Sequence, residues 1–193
     1  ALIFKTDLSG NIVYHRQVDN PNTSTGQNSK YLSAINKTSV GDPIAAGGDD
    51  SEELVMKFGA TGAFSLTFSQ NAEYSGTFFG TDPVDISQIY EVNGGTDLVT
   101  MGMYIRPFAF EFSNSLHRMN ASANSTQWAK KYTFGLATIL PRGQQTSDGG
   151  FLMTSTTSGA SWDYQVIKTD PSGDTPLVDC PPGTFSPSHS GGP

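Results

Sequence analysis

One strand-turn-strand pattern occurs four times along this chain at nearly constant spacing. Its copies span Leu2–Asn11, Leu54–Gly62, Phe110–Leu116 and Val166–Asp174. The charged residues near their centres are Lys5, Lys57, Glu111 and Lys168. Aligning these four residues gives steps of 52, 54 and 57 residues. Self-similarity at such a period is typical of solenoids and propellers, so the chain is predicted to be built from copies of one supersecondary unit.

Each unit is predicted to contain four short strands. Leu54, Met56 and Phe58 alternate with Val55 and Lys57, as expected for a strand of a half-buried sheet. The predicted repeat region covers residues 1–180, with a half unit at 1–20 and units at about 31–70, 86–121 and 132–179. In the 86–121 unit the third and fourth strands are predicted at 108–112 and 116–121, and the polar segment 122–131 is predicted to be a connector. No long apolar period of 3.6 residues occurs, so almost no helix is expected.

Four-stranded sheets repeated every 40 to 55 residues are typical of β-propeller blades. The predicted fold is therefore all-β, a propeller-like array of four-stranded antiparallel blades that is incomplete within this segment. A ring needs about four blades to close. Blades outside the segment, completion by another chain and an open stack all remain possible, and an exposed strand edge would be an adhesive surface.

The composition limits the classes of partner. The net charge is −7, and the Lys and Arg side chains needed for a nucleic-acid backbone are not clustered, so no nucleic-acid partner is expected. No apolar run approaches the roughly 20 residues of a membrane span. Because the chain opens inside a strand-turn-strand unit, we expect it to be a processed or partial segment of a longer protein.

The sequence favours a protein without catalytic, cofactor-binding or metal-binding residues. The histidines are His15, His117 and His189, and the first two are predicted on solvated outer strands beside Arg16 and Arg118. That placement does not suggest a catalytic triad. The turns at Asp7 and Asp170 lack the carboxylates that a calcium loop requires, so hairpin geometry explains them better.

A glycosidase is the main catalytic alternative. Its candidate carboxylates are Asp49, Asp50, Glu52, Glu53 and Asp148. A sialidase-like propeller would also need clustered arginines and several Asp-box turns. The arginines are Arg16, Arg106, Arg118 and Arg142, and Ser147–Gly150 is at best one partial box. Ordinary turns built from Asp and Gly account for these residues more simply.

Four sequons satisfy the Asn-x-Ser/Thr rule. Their asparagines are Asn22, Asn36, Asn120 and Asn124. They are predicted N-glycosylation sites if the protein is secreted by a eukaryotic cell.

Two motifs carry a resemblance to known families. The pattern Lys-Thr-Asp-x-Ser-Gly-Asn/Asp at residues 5–11 and 168–174 resembles the blades of secreted β-propeller repeat proteins. The segment Cys180–Pro187 resembles the start of an ephrin-receptor-like cysteine-rich repeat, found in large extracellular proteins of algae and protists such as mastigoneme components. This second resemblance implies an oxidising compartment and a disulfide from Cys180 to a cysteine outside the segment. Residues 181–193 are predicted to be a Pro/Gly/Ser linker that leads to a cysteine-rich region. The residues themselves leave open a free thiol at Cys180.

Taken together, these features predict a non-catalytic extracellular structural or adhesive module of a larger secreted glycoprotein, such as a filament or cell-surface appendage subunit. Its expected partners are other protomers, neighbouring extracellular proteins and covalent glycans. The alternative function is a carbohydrate-binding or glycoside-hydrolysing propeller. Candidate contact aromatics, each of which could instead pack between blades, are Phe78, Phe79, Trp128 and Trp162.

Overall fold

The computed structural model describes residues 2–17, 31–48, 53–59, 61–70, 84–106, 111–121, 125–132, 141–158 and 162–175. These residues form four separate β-sheets and one 3-10 turn at Asn93–Gly95. Sheet 1 contains β1 (Leu2–Thr6) and β2 (Ile12–Gln17). Sheet 2 contains β3 (Tyr31–Lys37), β4 (Pro43–Gly48), β5 (Glu53–Phe58) and β6 (Phe64–Gln70). Sheet 3 contains β7 (Val84–Val92), β8 (Asp97–Arg106), β9 (Glu111–Asn120) and β10 (Ser125–Tyr132). Sheet 4 contains β11 (Arg142–Gln145), β12 (Phe151–Ser158) and β13 (Trp162–Lys168).

Every sheet is an antiparallel meander in which strands adjacent in the chain are also hydrogen-bonded neighbours. The predicted all-β class is confirmed, with small antiparallel sheets and with the 3-10 turn as the one helical element of the described residues. These residues show no closure of the sheets into a ring. The strands predicted between residues 31 and 70 agree with sheet 2 to within two residues at each end.

Sheet 3 differs from the predicted strands. Residues 111–120 form the single strand β9. The prediction that one strand ends at residue 112 and the next begins at residue 116, with a turn between them, is therefore wrong. Ser113, Asn114 and Ser115 suggested that turn, but all three are buried inside β9. Asn114 can be buried because its Nδ2 atom donates to Ser155 Oγ at 2.7 Å and Gln165 Oε1 at 2.8 Å on sheet 4.

The fourth strand of sheet 3 is also displaced from its predicted position. Residues 125–132 form β10, although most of this segment was predicted to be a polar connector. β10 pairs with β9 at the edge of sheet 3, where polar side chains can face solvent. Arg118, rather than Glu111, lies at the position before the hairpin turn that Lys57 occupies in sheet 2. Aligning Lys5, Lys57, Arg118 and Lys168 gives steps of 52, 61 and 50 residues.

Five turns share one backbone conformation. In each of them the first residue and the fifth are joined by a hydrogen bond, and the fourth residue is a glycine with φ between 77° and 88°. These glycines are Gly10, Gly41, Gly62, Gly149 and Gly173. The left-handed region costs residues with a Cβ about 1–2 kcal/mol, so glycine is favoured at this position.

Three apolar clusters hold the four sheets in chain order. Sheet 1 contributes Ile3 to a cluster with Leu54, Met56 and Phe58 of sheet 2. The other face of sheet 2 contributes Val55 to a cluster with sheet 3, and the far face of sheet 3 packs on sheet 4 around Phe151. Each sheet therefore makes its core with the neighbouring sheets rather than alone.

Two of the shared turns dock against an aromatic residue of the preceding sheet. A Cβ added to Gly62 would lie 2.6–2.9 Å from ring atoms of Tyr14 on β2. A Cβ added to Gly173 would lie 2.9–3.0 Å from ring atoms of Trp128 on β10. Trp128 also packs edge-on against Phe151, with 6.1 Å between ring centroids. Of the four candidate contact aromatics, Trp128 thus packs between sheets, while Phe78, Phe79 and the Trp162 side chain lie outside the described residues.

The first strands of sheets 2, 3 and 4 are joined by hydrogen bonds that repeat with the period of the sequence. Ser33 donates its hydroxyl to the Ile86 carbonyl at 2.5 Å, and Ser87, 54 residues later, donates to the Pro141 carbonyl. Both serines lie at an irregularity in strand pairing, between Leu32 and Ala34 and between Ile86 and Gln88. A β-bulge can redirect a side chain towards a neighbouring sheet. The two sheet junctions are therefore made in the same way, by a serine at a bulge that donates to a carbonyl of the next sheet.

Replacing Ser87 by alanine is expected to lower the free energy of unfolding by about 1–3 kcal/mol, because the buried Pro141 carbonyl loses its donor. Chemical denaturation would measure this loss. Ser9→Ala, in an exposed turn, is the matched control and should change stability by less than about 0.5 kcal/mol. Equal effects of the two substitutions would contradict a role for Ser87 in joining sheets 3 and 4.

Candidate functional site

The predicted glycosylation sites lie in different surroundings. Asn36, on β3, is half-buried and donates its Nδ2 atom to the Ile89 carbonyl of sheet 3 at 2.9 Å. Asn120 ends β9 and is also half-buried. Asn22 and Asn124 lie outside the described residues, as do Cys180 and the linker at 181–193. Sugar attachment at all four asparagines stays a prediction.

The partial Asp box at Ser147–Gly150 is a hairpin turn held by Asp148. This carboxylate accepts hydrogen bonds from Lys168 Nζ at 2.7 Å, Thr146 Oγ1 at 2.5 Å and the Gly150 amide at 3.1 Å. The ammonium group of Lys168, followed by the Thr146 hydroxyl and the Gly150 amide, holds the pKa of Asp148 well below its usual range. Asp148 therefore links β11 and β12 to β13.

The lowered pKa of Asp148 predicts a pH-dependent contribution to stability. A carboxyl whose folded pKa is depressed stabilises the fold above its unfolded pKa of about 3.9 and loses this effect as pH falls towards the folded pKa. The difference in melting temperature between wild type and Asp148→Asn should therefore be largest above about pH 5 and shrink as pH falls to about 2. In a Lys168→Met background the same substitution should have a smaller effect. A difference that is constant with pH would contradict the assignment.

Three of the arginines lie on three different sheets. Arg16 on β2 donates Nε to the Gly62 carbonyl at 3.0 Å, and Arg142 on β11 donates Nη1 to the Ser87 carbonyl at 2.9 Å. Arg118 on β9 is buried and donates two bonds to Asp97 Oδ2, at 2.6 and 3.1 Å. It also donates Nη1 to the Pro171 carbonyl of the turn after β13, at 3.1 Å. These three arginines thus join sheets instead of converging on one surface, and Arg106 is described only as the last residue of β8.

His117 forms the most deeply buried ionisable pair of the described residues. Its Nδ1 atom lies 2.6 Å from Glu53 Oε2, and the two side chains are 1% and 0% exposed. Its Nε2 atom lies 3.0 Å from Thr126 Oγ1, so the imidazole connects sheet 2 with β9 and β10. The predicted solvent exposure of His117 and Arg118 is wrong, whereas His15 is exposed as expected. Asp49, Asp50, Glu52 and His189 lie outside the described residues.

A cavity of about 220 Å³ lies between the first strands of sheets 2, 3 and 4. Its polar lining includes Asn36, Gln88, Tyr90 and Arg142. These groups already bond to the neighbouring backbone: Tyr90 donates its hydroxyl to the Gly143 carbonyl, and Gln88 Oε1 accepts from the Gly143 amide at 2.5 Å. Burial raises the pKa of the Tyr90 phenol, which keeps it protonated as a donor. The cavity wall is therefore a hydrogen-bonded sheet junction.

Apolar side chains are exposed on the faces of sheets 1 and 4 that no other described sheet covers. On sheet 1, Leu2 is 65% and Phe4 is 59% exposed, while Ile3 between them is buried against sheet 2. On sheet 4, Tyr164 is 91% and Val166 is 66% exposed. Clustered exposed apolar residues mark surfaces that bind other macromolecules. These two faces are the candidate functional surfaces of the chain.

The chain matches no protein-family model, and a search of curated proteins finds no match. None of the described residues forms a helix long and apolar enough to cross a membrane. Within the same residues, no group of three or more His, Cys, Asp or Glu side chains could hold a metal ion.

Proposed function

We propose that this chain is a non-catalytic structural or adhesive module of a larger secreted glycoprotein, such as a filament or cell-surface appendage subunit. The observation that carries the proposal is the set of exposed apolar side chains on the outer faces of sheets 1 and 4. Such faces suit packing against another protein surface. The arrangement of ionisable groups agrees with this role, because Glu53, His117 and Arg118 bond one sheet to another.

A propeller-like array is the proposed arrangement of the sheets. Three features support it: the meander topology of each sheet, the stacking in chain order, and the recurrence of the same donor-to-carbonyl bond at Ser33 and Ser87. In propellers, each blade likewise packs its two faces on its two neighbours. The secreted location is supported by the sequons and by the motif resemblances of the turns and of Cys180–Pro187.

The carbohydrate-binding or glycoside-hydrolysing alternative is favoured by one observation, the polar cavity that Arg142 lines. Expression of the chain through a eukaryotic secretory pathway tests the two functions together. We expect export, an intact mass that falls on enzymatic removal of N-glycans, and no binding on a glycan array or hydrolysis of chromogenic glycosides. Sugar binding or hydrolysis that is lost in Arg142→Ala, with Lys37→Ala as an exposed control, would overturn the structural role.

A further inference from the structure

Asn93 is the one asparagine of the sequence that a glycine follows. Both residues are exposed in the turn between β7 and β8. An asparagine side chain can be attacked by the backbone nitrogen of the next residue. The attack is least hindered when that residue is glycine, which has no Cβ and adopts a wide range of φ and ψ. A Cβ added to Gly94 would meet no described atom within 4 Å, so the space beside this residue is open.

The reaction at Asn93 needs only water. The Gly94 nitrogen forms a bond with Asn93 Cγ, the bond from Cγ to Nδ2 breaks, and Nδ2 leaves as ammonia with the proton that the Gly94 amide gives up. The five-membered imide that results then takes up one water molecule. Cleavage of the bond between the nitrogen and Cγ gives aspartate, and cleavage of the bond between the nitrogen and the main-chain carbonyl carbon gives isoaspartate. Either product carries a carboxylate in place of the carboxamide.

The Asn93 carboxamide contacts a buried ion pair. Its Nδ2 atom donates to Asp97 Oδ2 at 2.7 Å, and the Asp97 side chain is only 5% exposed. The same oxygen accepts from Arg118 Nη2 at 2.6 Å and Nε at 3.1 Å. The other oxygen, Asp97 Oδ1, accepts from Gln127 Nε2 at 2.6 Å. Asn93 is therefore a neutral donor to a carboxylate that holds Arg118 in place.

Arg118 extends this set of bonds to sheet 4, because its Nη1 atom donates to the Pro171 carbonyl in the turn after β13. A carboxylate at position 93 cannot donate to Asp97 and would add a second negative charge beside it. Two carboxylates at such a distance repel each other, and both attract the same guanidinium group. The position of Arg118, and with it the bond to Pro171, would be disturbed.

We propose that Asn93 is a site of spontaneous deamidation, and that the carboxylate formed there weakens the contact between sheet 3 and the turn after β13. The chemistry requires no partner other than water, so it is independent of the proposed structural role. Each converted chain gains one negative charge at an exposed turn and loses a donor to a buried carboxylate.

Peptide mass spectrometry of the 193-residue chain, kept in neutral buffer for increasing times, tests the first part. Asn11 is the internal control, because it also lies in an exposed turn and donates Nδ2 to a carboxylate, Asp7 Oδ2, at 3.0 Å. The β-branched Ile12 follows it and hinders attack. We expect aspartate and isoaspartate to form about tenfold faster at Asn93 than at Asn11. Equal rates at the two positions, or an unmodified Asn93, would overturn the inference.

Hydrogen exchange of Asn93→Asp tests the second part, with Asn93→Gly as the matched control. Glycine suits the φ of 51° at this position and removes the donor without adding a charge. In Asn93→Asp we expect the amides of residues 170–174 to exchange about fivefold faster than in wild type, and those of the equivalent turn at 7–11 to stay unchanged. Asn93→Gly should have a smaller effect. Unchanged exchange at 170–174 in Asn93→Asp, or an equal increase in both variants, would overturn the inference.

Discussion

His117→Leu is expected to lower the free energy of unfolding by about 3–5 kcal/mol, because it leaves the Glu53 carboxylate buried without a partner. Glu53 is 0% exposed in its side chain, and its Oε2 atom lies 2.6 Å from His117 Nδ1. The other oxygen, Oε1, already has no hydrogen-bond partner among the described residues. Urea denaturation of both proteins would measure the loss.

The double variant Glu53→Leu/His117→Leu separates the loss of the pair from a loss of packing. Replacing both members of a buried ion pair by apolar residues is often neutral or stabilising. The double variant should therefore regain most of the stability that His117→Leu loses. A double variant at least as unstable as His117→Leu would contradict an unpaired carboxylate as the cause.

Gly62→Ala is expected to lower the free energy of unfolding by about 2–5 kcal/mol through two additive effects. The backbone at Gly62 has φ of 78°, which costs an alanine about 1–2 kcal/mol. The new methyl group would also lie 2.6–2.9 Å from the Tyr14 ring, and overpacking typically costs about 1–3 kcal/mol. Thermal or chemical unfolding of the variant would measure the sum.

Gly41→Ala is the matched control for Gly62→Ala. Gly41 occupies the same position of the same turn, with φ of 88°, but an added Cβ would meet nothing within 4 Å. It should therefore lose only the backbone contribution of about 1–2 kcal/mol. Equal losses at Gly41 and Gly62 would show that the turn does not dock tightly on sheet 1.

The strands predicted from the sequence were most accurate where glycine-containing segments mark the turns. The Gly41–Asp42 and Gly59–Gly62 segments fall within the turns of sheet 2, so its strands were placed within two residues. In sheet 3, the run Ser113–Ser115 has the composition of a turn. It nevertheless lies within strand β9, where Asn114 bonds to sheet 4. Local propensity carries no information about such a tertiary partner, so the boundary could not be predicted.

The candidate surfaces were only partly predictable. An open edge was expected to be adhesive, but the exposed apolar residues lie on sheet faces, and their exposure follows from stacking order. The burial of His117 could not be predicted either, because its partner Glu53 is 64 residues away in the chain. The bond from Ser87 to Pro141 has a sequence signal, since Ser33 and Ser87 are 54 residues apart. The spacing alone does not identify their acceptors, which lie on the neighbouring sheets.

The chain-order stacking has a consequence for how the protein forms during synthesis. In the described residues every hydrogen-bonded strand pair joins strands adjacent in the sequence, so no sheet must wait for a distant segment. Sheet 2 can form before sheet 3 has left the ribosome, and each new sheet can then pack on the apolar face of a sheet that has already formed. Folding would then be vectorial, and at each moment the newest sheet would present the uncovered face on which the next sheet packs.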